Sequence, residues 1–382
     1  MAGYTPPMHD PRFADLADVL VGHSLGLQAD ETVLVEAFDV PDEFLRVLIR
    51  RIVAAGARPL VTQRSHAVMR DLLLAASVEQ MSLLGETDAH LMARVDAYIG
   101  IRGRPNISEW SDVPQEKLAL YQEHWWAPVH RDVRIRSTRW VVLRWPDAAM
   151  AQQASRSTEG FENFYFDVCT LDYGLMARAM QPLIELMERT DRVHIEAPGT
   201  DLRFSIRDIP AIGCAGEYNI PDGEVFTAPV RDSVEGTVRF NAPTIYQGSS
   251  HDGVELRFEK GRIVDATSSN PERLRALLDS DEGARYLGEF AIGFNPHITE
   301  PMKDILFDEK IAGSIHLTPG NAYEEAWNGN KSRIHWDLVL LMDAEHGGGD
   351  LSFDGRLVRR DGRFVIPELE ALNPENLLGS PS

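Results

Sequence analysis

Two histidines, a tyrosine and an aspartate fall within the single stretch HLTPGNAYEEAWNGNKSRIHWD, residues 316 to 337. His335 and Asp337 are two apart in IHWDLVLLM, an apolar run that predicts a strand. Side chains at i and i+2 of a strand share a face, so an imidazole and a carboxylate stand side by side, as two ligands of one metal must. His316 lies in a second short apolar run, GSIHL, the predicted neighbouring strand. The connection PGNAYEEAWNGNKS is rich in turn formers, and antiparallel pairing across it brings His316 beside His335 and Asp337. Neutral imidazole together with carboxylate suits zinc, cobalt, manganese or iron. On this stretch alone a metal site and an ordinary hydrogen-bonded His–Asp pair are equally good accounts, because short motifs carry false positives.

Two further carboxylates stand in unusually apolar company. Glu224 enters a strand in NIPDGEVFTAP, and Glu289 sits in YLGEFAIGFNP. A glutamate so placed is either at an exposed edge or buried with a partner. Each alone reads as an edge carboxylate. Taken together, three carboxylates and two imidazoles exceed the four ligands of a structural zinc and suit two divalent ions sharing a carboxylate. Glu309, Glu324, Glu325 and His297 lie near these motifs and read as solvated surface groups, so no general base is identified.

The elements that must position these groups divide the chain in two. Over residues 10–146 the pattern alternates: a helix over 10–28, a strand over 31–38, an amphipathic helix over 40–57, a strand over 58–64, broken helix, then strands over 96–103 and 138–146. Strand–helix alternation at this spacing predicts a parallel sheet in an α/β domain. No glycine-rich phosphate loop follows these strands, which argues against a nucleotide-binding domain. The tryptophans at 125, 126, 140 and 145 read as core or interface. Residues 147–190 read as helical. Beyond Arg192 short alternating runs punctuated by Gly, Pro and Asp predict a mainly antiparallel β domain, with EKGR and RDGR as hairpin turns. The expected fold is therefore α/β plus α+β, with an α/β domain over 1–190 and a β-rich metal-binding domain over 191–382.

Charge and cysteine content bound the partners. With 38 Lys and Arg against 59 Asp and Glu, the 382-residue chain carries a net charge of −21, unfavourable for nucleic acid or an anionic membrane surface. Divalent metals or cationic substrates are easier to accommodate. Cys169 and Cys214 have no CxxC spacing and read as reduced core thiols. No basic region leads into a long apolar run at the N-terminus, and no stretch approaches the length of a membrane span. A cytoplasmic location is the expectation.

In this order and spacing, NIPDGEVFTAP, GEFAIGFNP, IHLTPGNAY and IHWD resemble the aminopeptidase T/aminopeptidase S family of thermophilic-type metallopeptidases, and the likeness extends over most of the chain. The resemblance implies metal ligands at Glu224, Glu289, His316, His335 and Asp337, and a metal-proximal tyrosine at Tyr323. It further implies two divalent ions (Zn, Co or Mn), a homodimer, and removal of N-terminal residues from peptides. Leu317, Thr318 and Pro319 depart from the more apolar sequence that follows the first histidine in the family. The alternative on the same scaffold resembles 2,5-dihydroxypyridine dioxygenase, with a single Fe(II) held by His316, His335 and Asp337. That branch carries a histidine where this chain has Glu289, which favours the two-metal reading. A binding protein without catalysis fits less well, since all six positions are filled.

Overall fold

The computed structural model describes residues 10–378. The chain forms two compact units, one running to Thr170 and taking in Gly216–Ile220, the other comprising Leu171–Ala215 and the chain from Pro221.

The first unit is built on a parallel sheet. Its strands are β1 (Thr32–Phe38), β2 (Arg58–Arg64), β3 (Ala97–Arg102) and β4 (Arg139–Arg144), with the two-residue strand Asn219–Ile220 added beyond β4. The order β2–β1–β3–β4–(219–220) is parallel throughout. β1 and β3 are buried on both faces, as unbroken apolar runs in parallel sheets are, whereas β2 lies at the edge and is largely exposed. That position tolerates Pro59, which has no N–H for a ladder. Helix α1 (Arg12–Asp18) passes into a wider turn over Val19–Ser24. Helix α2 (Asp42–Ala54) buries Phe44, Leu45, Leu48 and Ile52, spaced to form one apolar stripe. Helices α3 (His66–Leu74) and α4 (Val78–Met92) follow β2. Between β3 and β4, where sequence periodicity assigns nothing, α5 (Gln115–Tyr121) runs into a wide-turned helix over Gln122–Arg134 that contains Pro128.

The second unit opens with the helix Tyr173–Glu188, capped by Asp172, which accepts from the Leu175 N–H. An eight-stranded antiparallel sheet follows, with strands between Arg192 and Phe364. The predicted turns at EKGR and RDGR are its hairpin tips. Beside it a second antiparallel sheet contains β5 (Ile212–Cys214), β6 (Glu224–Thr227), β7 (Leu287–Gly293), β8 (Ser314–Pro319) and β9 (Leu338–Leu341), in the order β9–β8–β7–β6–β5. Every residue of β6 to β9 is buried. The strand expected over IHWDLVLLM starts only at Leu338. His335 and Asp337 lie in the extended lead-in, where His335 makes a lone bridge to Gly320. At Gly320 φ is +119° and a Cβ would come within 2.2 Å of the Ile334 carbonyl, so only glycine lets the two segments approach this closely. Among the described residues no helix is long and apolar enough to cross a membrane.

Candidate metal centre

Strand register gathers the five sequence-flagged side chains on one face. Glu289 and Ala291 alternate along β7, and Gly293 completes that face. Glu224 on β6 pairs opposite Gly293, His316 on β8 opposite Ala291, and Thr318 opposite Glu289. His316 in turn faces Val339 of β9, and stepping two residues back along the lead-in places Asp337 beside Thr318. Ala291 and Gly293 are the small residues of this face, and they leave the volume above the sheet to the ionisable groups around them.

The result is a continuous chain of close approaches. Glu224 Oε2 is 3.7 Å from His316 Nδ1, and His316 Nε2 is 2.9 Å from Glu289 Oε1. Glu289 Oε2 is 3.4 Å from His335 Nε2, which is 3.2 Å from Asp337 Oδ1. Donor atoms of Glu289, His316 and Asp337 all lie within 4.8 Å of one another. Two further contacts orient the ligand-type groups. His335 Nδ1 donates to the Asn321 carbonyl at 2.8 Å, which turns Nε2 toward the carboxylates, and Thr318 Oγ1 donates to Asp337 Oδ1 at 2.5 Å. Such outer contacts fix the tautomer and aim of metal ligands.

Tyr323 packs its ring 4.6 Å from that of His335 and 5.7 Å from that of Phe226. It keeps 47 % of its surface. The chain crowded around its phenol, followed by the charges of Glu289, Asp337 and Glu309, pushes its pKa well above the ordinary value, so the hydroxyl remains a donor.

Sequence reasoning missed the cation at the centre. Lys310 is buried at 1 % exposure. Its Nζ lies 2.6 Å from Glu224 Oε1 and 3.7 Å from Asp222 Oδ1, and it also grips Glu309 Oε1. Glu309 is therefore not the solvated surface group expected, because the ammonium draws its carboxylate inward to 14 % exposure. Glu324 and Glu325 are exposed as expected, while His297 is half-buried. Cys214, Asp222 and Glu224 form a second grouping of ligand-type atoms, but Lys310 already supplies two of its members with positive charge. The available signal was a lysine set between Phe307 and Ile311 in an otherwise buried segment.

Charge balance at this face is strongly negative. Glu224, Glu289, Asp337, Glu309 and Asp222 surround a single permanent cation. Burial opposes charge at His316, but the hydrogen bond that its Nε2 donates to Glu289 and the charges of Glu224, Glu289 and Asp337 lift its pKa to about 10. At His335 burial is likewise overcome, by Asp337 and Glu289, again to about 10. Burial lifts Glu224 to about 7 despite Lys310. Imidazoles that hold protons so firmly mark a field that draws positive charge, which a metal meets by displacing those protons. The donor set has room for it: Glu224 Oε2, Glu289 Oε2 and His316 Nδ1 are buried without a hydrogen bond, an arrangement that costs free energy unless something else binds there. These residues fit a divalent cation.

Comparison with known proteins agrees with this chemistry. The family described as thermophilic metalloprotease (M29) matches residues 9–364. Aminopeptidase T of Thermus thermophilus is 35 % identical over 207 residues, which span 47 % of this chain and 50 % of that protein. The match thus covers about half the length of this curated relative. Among solved structures, wild-type AmpT from Thermus thermophilus superposes with a TM-score of 0.79 at 25 % identity, covering 93 % of this chain and 99 % of that one. The 2,5-dihydroxypyridine dioxygenase of Pseudomonas putida KT2440 shares the fold, with a TM-score of 0.59 at 14 % identity over 95 % of this chain and 100 % of that one.

Proposed function

The chain belongs to the thermophilic metalloprotease (M29) family, and from that premise we propose that it is a metal-dependent aminopeptidase that removes N-terminal residues from peptides. The observation that carries the reading is the convergence of Glu224, Glu289, His316, His335 and Asp337 on one buried face, with three donor atoms left without hydrogen bonds. These five would hold two divalent ions, zinc, cobalt or manganese; Glu289 approaches both His316 and His335. Bound there, such ions supply an acidified water and polarise the scissile carbonyl. Within this reading the protein's own groups have separate tasks. The Asn321 carbonyl and Thr318 hydroxyl keep His335 and Asp337 aimed inward. Lys310 holds Glu224 and Glu309 in place from behind. The protonated Tyr323 phenol donates a hydrogen bond to the oxyanion that develops on the substrate. A homodimer and a cytoplasmic location complete the proposal.

The test is hydrolysis of short peptides or aminoacyl anilides by the purified protein, with added cobalt or zinc and with a chelator, alongside metal analysis. Activity should disappear on chelation and return with metal, at two ions per chain. A protein that ignores peptides but consumes oxygen on a dihydroxylated ring with one iron per chain would replace this reading with the dioxygenase.

A further inference from the structure

The α/β unit holds a cavity whose lining is opposite in charge to the carboxylate-rich face of the other unit. In register across the sheet, Phe38 at the end of β1 lies between Arg64 of β2 and Arg102 of β3, and Arg102 pairs with Arg144 of β4. All four are the last residues of parallel strands, so their side chains share one face at the carboxyl edge. Three guanidiniums are thereby placed close along one edge, where like charges on neighbouring strands repel. The chain has changed direction here: β2 lies on one side of β1 and β3 on the other. That reversal opens the crevice in which open α/β sheets bind their ligands.

A cavity of about 200 Å³ occupies this position, and Arg64, Arg102, Arg104 and Arg144 contribute to its wall. One carboxylate, Glu36, shares that lining with the four guanidiniums. Glu36 accepts from Arg64 at 3.2 Å through Oε1, and from Arg102 at 2.7 Å and Tyr98 at 2.6 Å through Oε2. Asp88 holds Arg64 from a second direction at 2.6 Å. These contacts lock the guanidinium planes of Arg64 and Arg102 before any ligand arrives, and preorganised forks are what carboxylate and phosphate recognition needs. Trp110, Tyr121, Trp125 and Trp126 also line the cavity, together with Phe38, Met69, His66 and His130. Their rings are linked at centroid distances of 5.8 Å between Trp110 and Tyr121 and 5.6 Å between Tyr121 and Trp125. In a protein of net charge −21, a cavity lined by four arginines is a local inversion of sign.

We propose that this cavity binds a small organic anion, a carboxylate or phosphate carried on a flat unsaturated ring, with the anionic group on the arginines and the ring against the tryptophans. No glycine-rich loop is required, because side-chain guanidiniums replace backbone N–H groups. The proposal stands independently of the metal centre.

The full-length protein can be titrated by calorimetry and by tryptophan fluorescence with benzoate, phenyl phosphate, inorganic phosphate and neutral benzamide. Benzoate, phenyl phosphate or both should saturate with a Kd below about 1 mM, and which of them binds identifies the anion as carboxylate or phosphate. Benzamide should not bind. Arg104→Gln and Arg144→Gln should each weaken binding about tenfold or more. Trp126→Ala should weaken the ring-bearing probes and leave the charge of the cavity unchanged, so it serves if an arginine variant does not fold. Absence of saturation by both ring-bearing anions up to about 10 mM, equal binding of benzamide, or unchanged affinity in every folded variant would overturn the proposal.

Discussion

In the β-rich unit carboxylates gather around the buried Lys310, whereas in the α/β unit half-buried arginines gather around the buried Glu36. Lys310 is outnumbered by its carboxylates, whereas Glu36 shares its arginines with Asp88, which grips Arg64. Burial alone would penalise both arrangements. What separates them is how the surplus is relieved. The carboxylate cluster raises the pKa of its imidazoles, burial raises that of Glu224, and donor atoms are left without hydrogen bonds. The arginine cluster cannot shed protons, and Glu36 and Asp88 hold Arg64 and Arg102 beside a cavity.

The comparison breaks most visibly if the carboxylates are not a ligand set. Glu289→Ala removes the one group that touches both His316 and His335, and the proposed hydrolysis should fall by about a thousandfold or more, with bound metal dropping from two ions toward one and the circular dichroism spectrum unchanged. An unaffected rate would remove Glu289 from the centre. Lys310→Met tests the buried cation. With the ammonium gone, metal-free protein should lose about 3–5 kcal/mol of stability, measured by denaturant unfolding, and added zinc or cobalt should recover part of it. Equal stability of variant and parent under chelation would show that the carboxylates do not need the lysine.

Acid sharpens the other half. Burial raises the pKa of Glu36, but Arg102, His130, Tyr98 and Arg64 outweigh it and hold it at about 2, against an ordinary 4.5. Burial lowers His130 from 6.5 to about 4 despite Glu36. Both folded values are depressed, so each contribution to stability is complete above the unfolded pKa. It is lost as pH falls, between 6.5 and about 4 for His130 and between 4.5 and about 2 for Glu36. Each is worth about 3 kcal/mol, and they do not add, since the two groups face one another at 4.0 Å. His130→Gln should flatten the upper part of a thermal-melting profile against pH; a profile of unchanged shape would contradict this account. The smallest effect is expected at Thr318→Ala, which frees Asp337 to turn and should weaken metal binding about 10-fold to 100-fold, read by competition with a chromogenic chelator.

Legibility in the sequence followed how local each signal was. β1, β2, β3 and β4 could be placed to within a residue or two because each is a short apolar or alternating run bounded by clear breakers. Glu224, Glu289, His316, His335 and Asp337 were conspicuous because ionisable groups inside such runs are rare. The structure brings these side chains together, although the lead-in that carries His335 and Asp337 joins the sheet later than its apolar pattern implied. Lys310 and Glu309 were hidden, since Asp-Glu-Lys in a row reads as solvated and the lysine's partner Glu224 is 86 residues away. The arginine row was hidden for another reason. Its members lie one per strand at 64, 102 and 144, and only the parallel register sets them on one edge. The wide-turned helix over Gln122–Arg134 left no periodic trace because its pitch is not that of an α-helix and Pro128 interrupts it.

Lys310 also bears on the order of events in the life of the chain. An ammonium carried in the sequence reaches Glu224 once β6 has paired with β7 and the segment between β7 and β8 has folded, whereas an ion must be captured from outside. A centre with its own resident cation can close before it is loaded. A chain that carries its own cation needs no captured ion to draw Glu224 and Glu309 together.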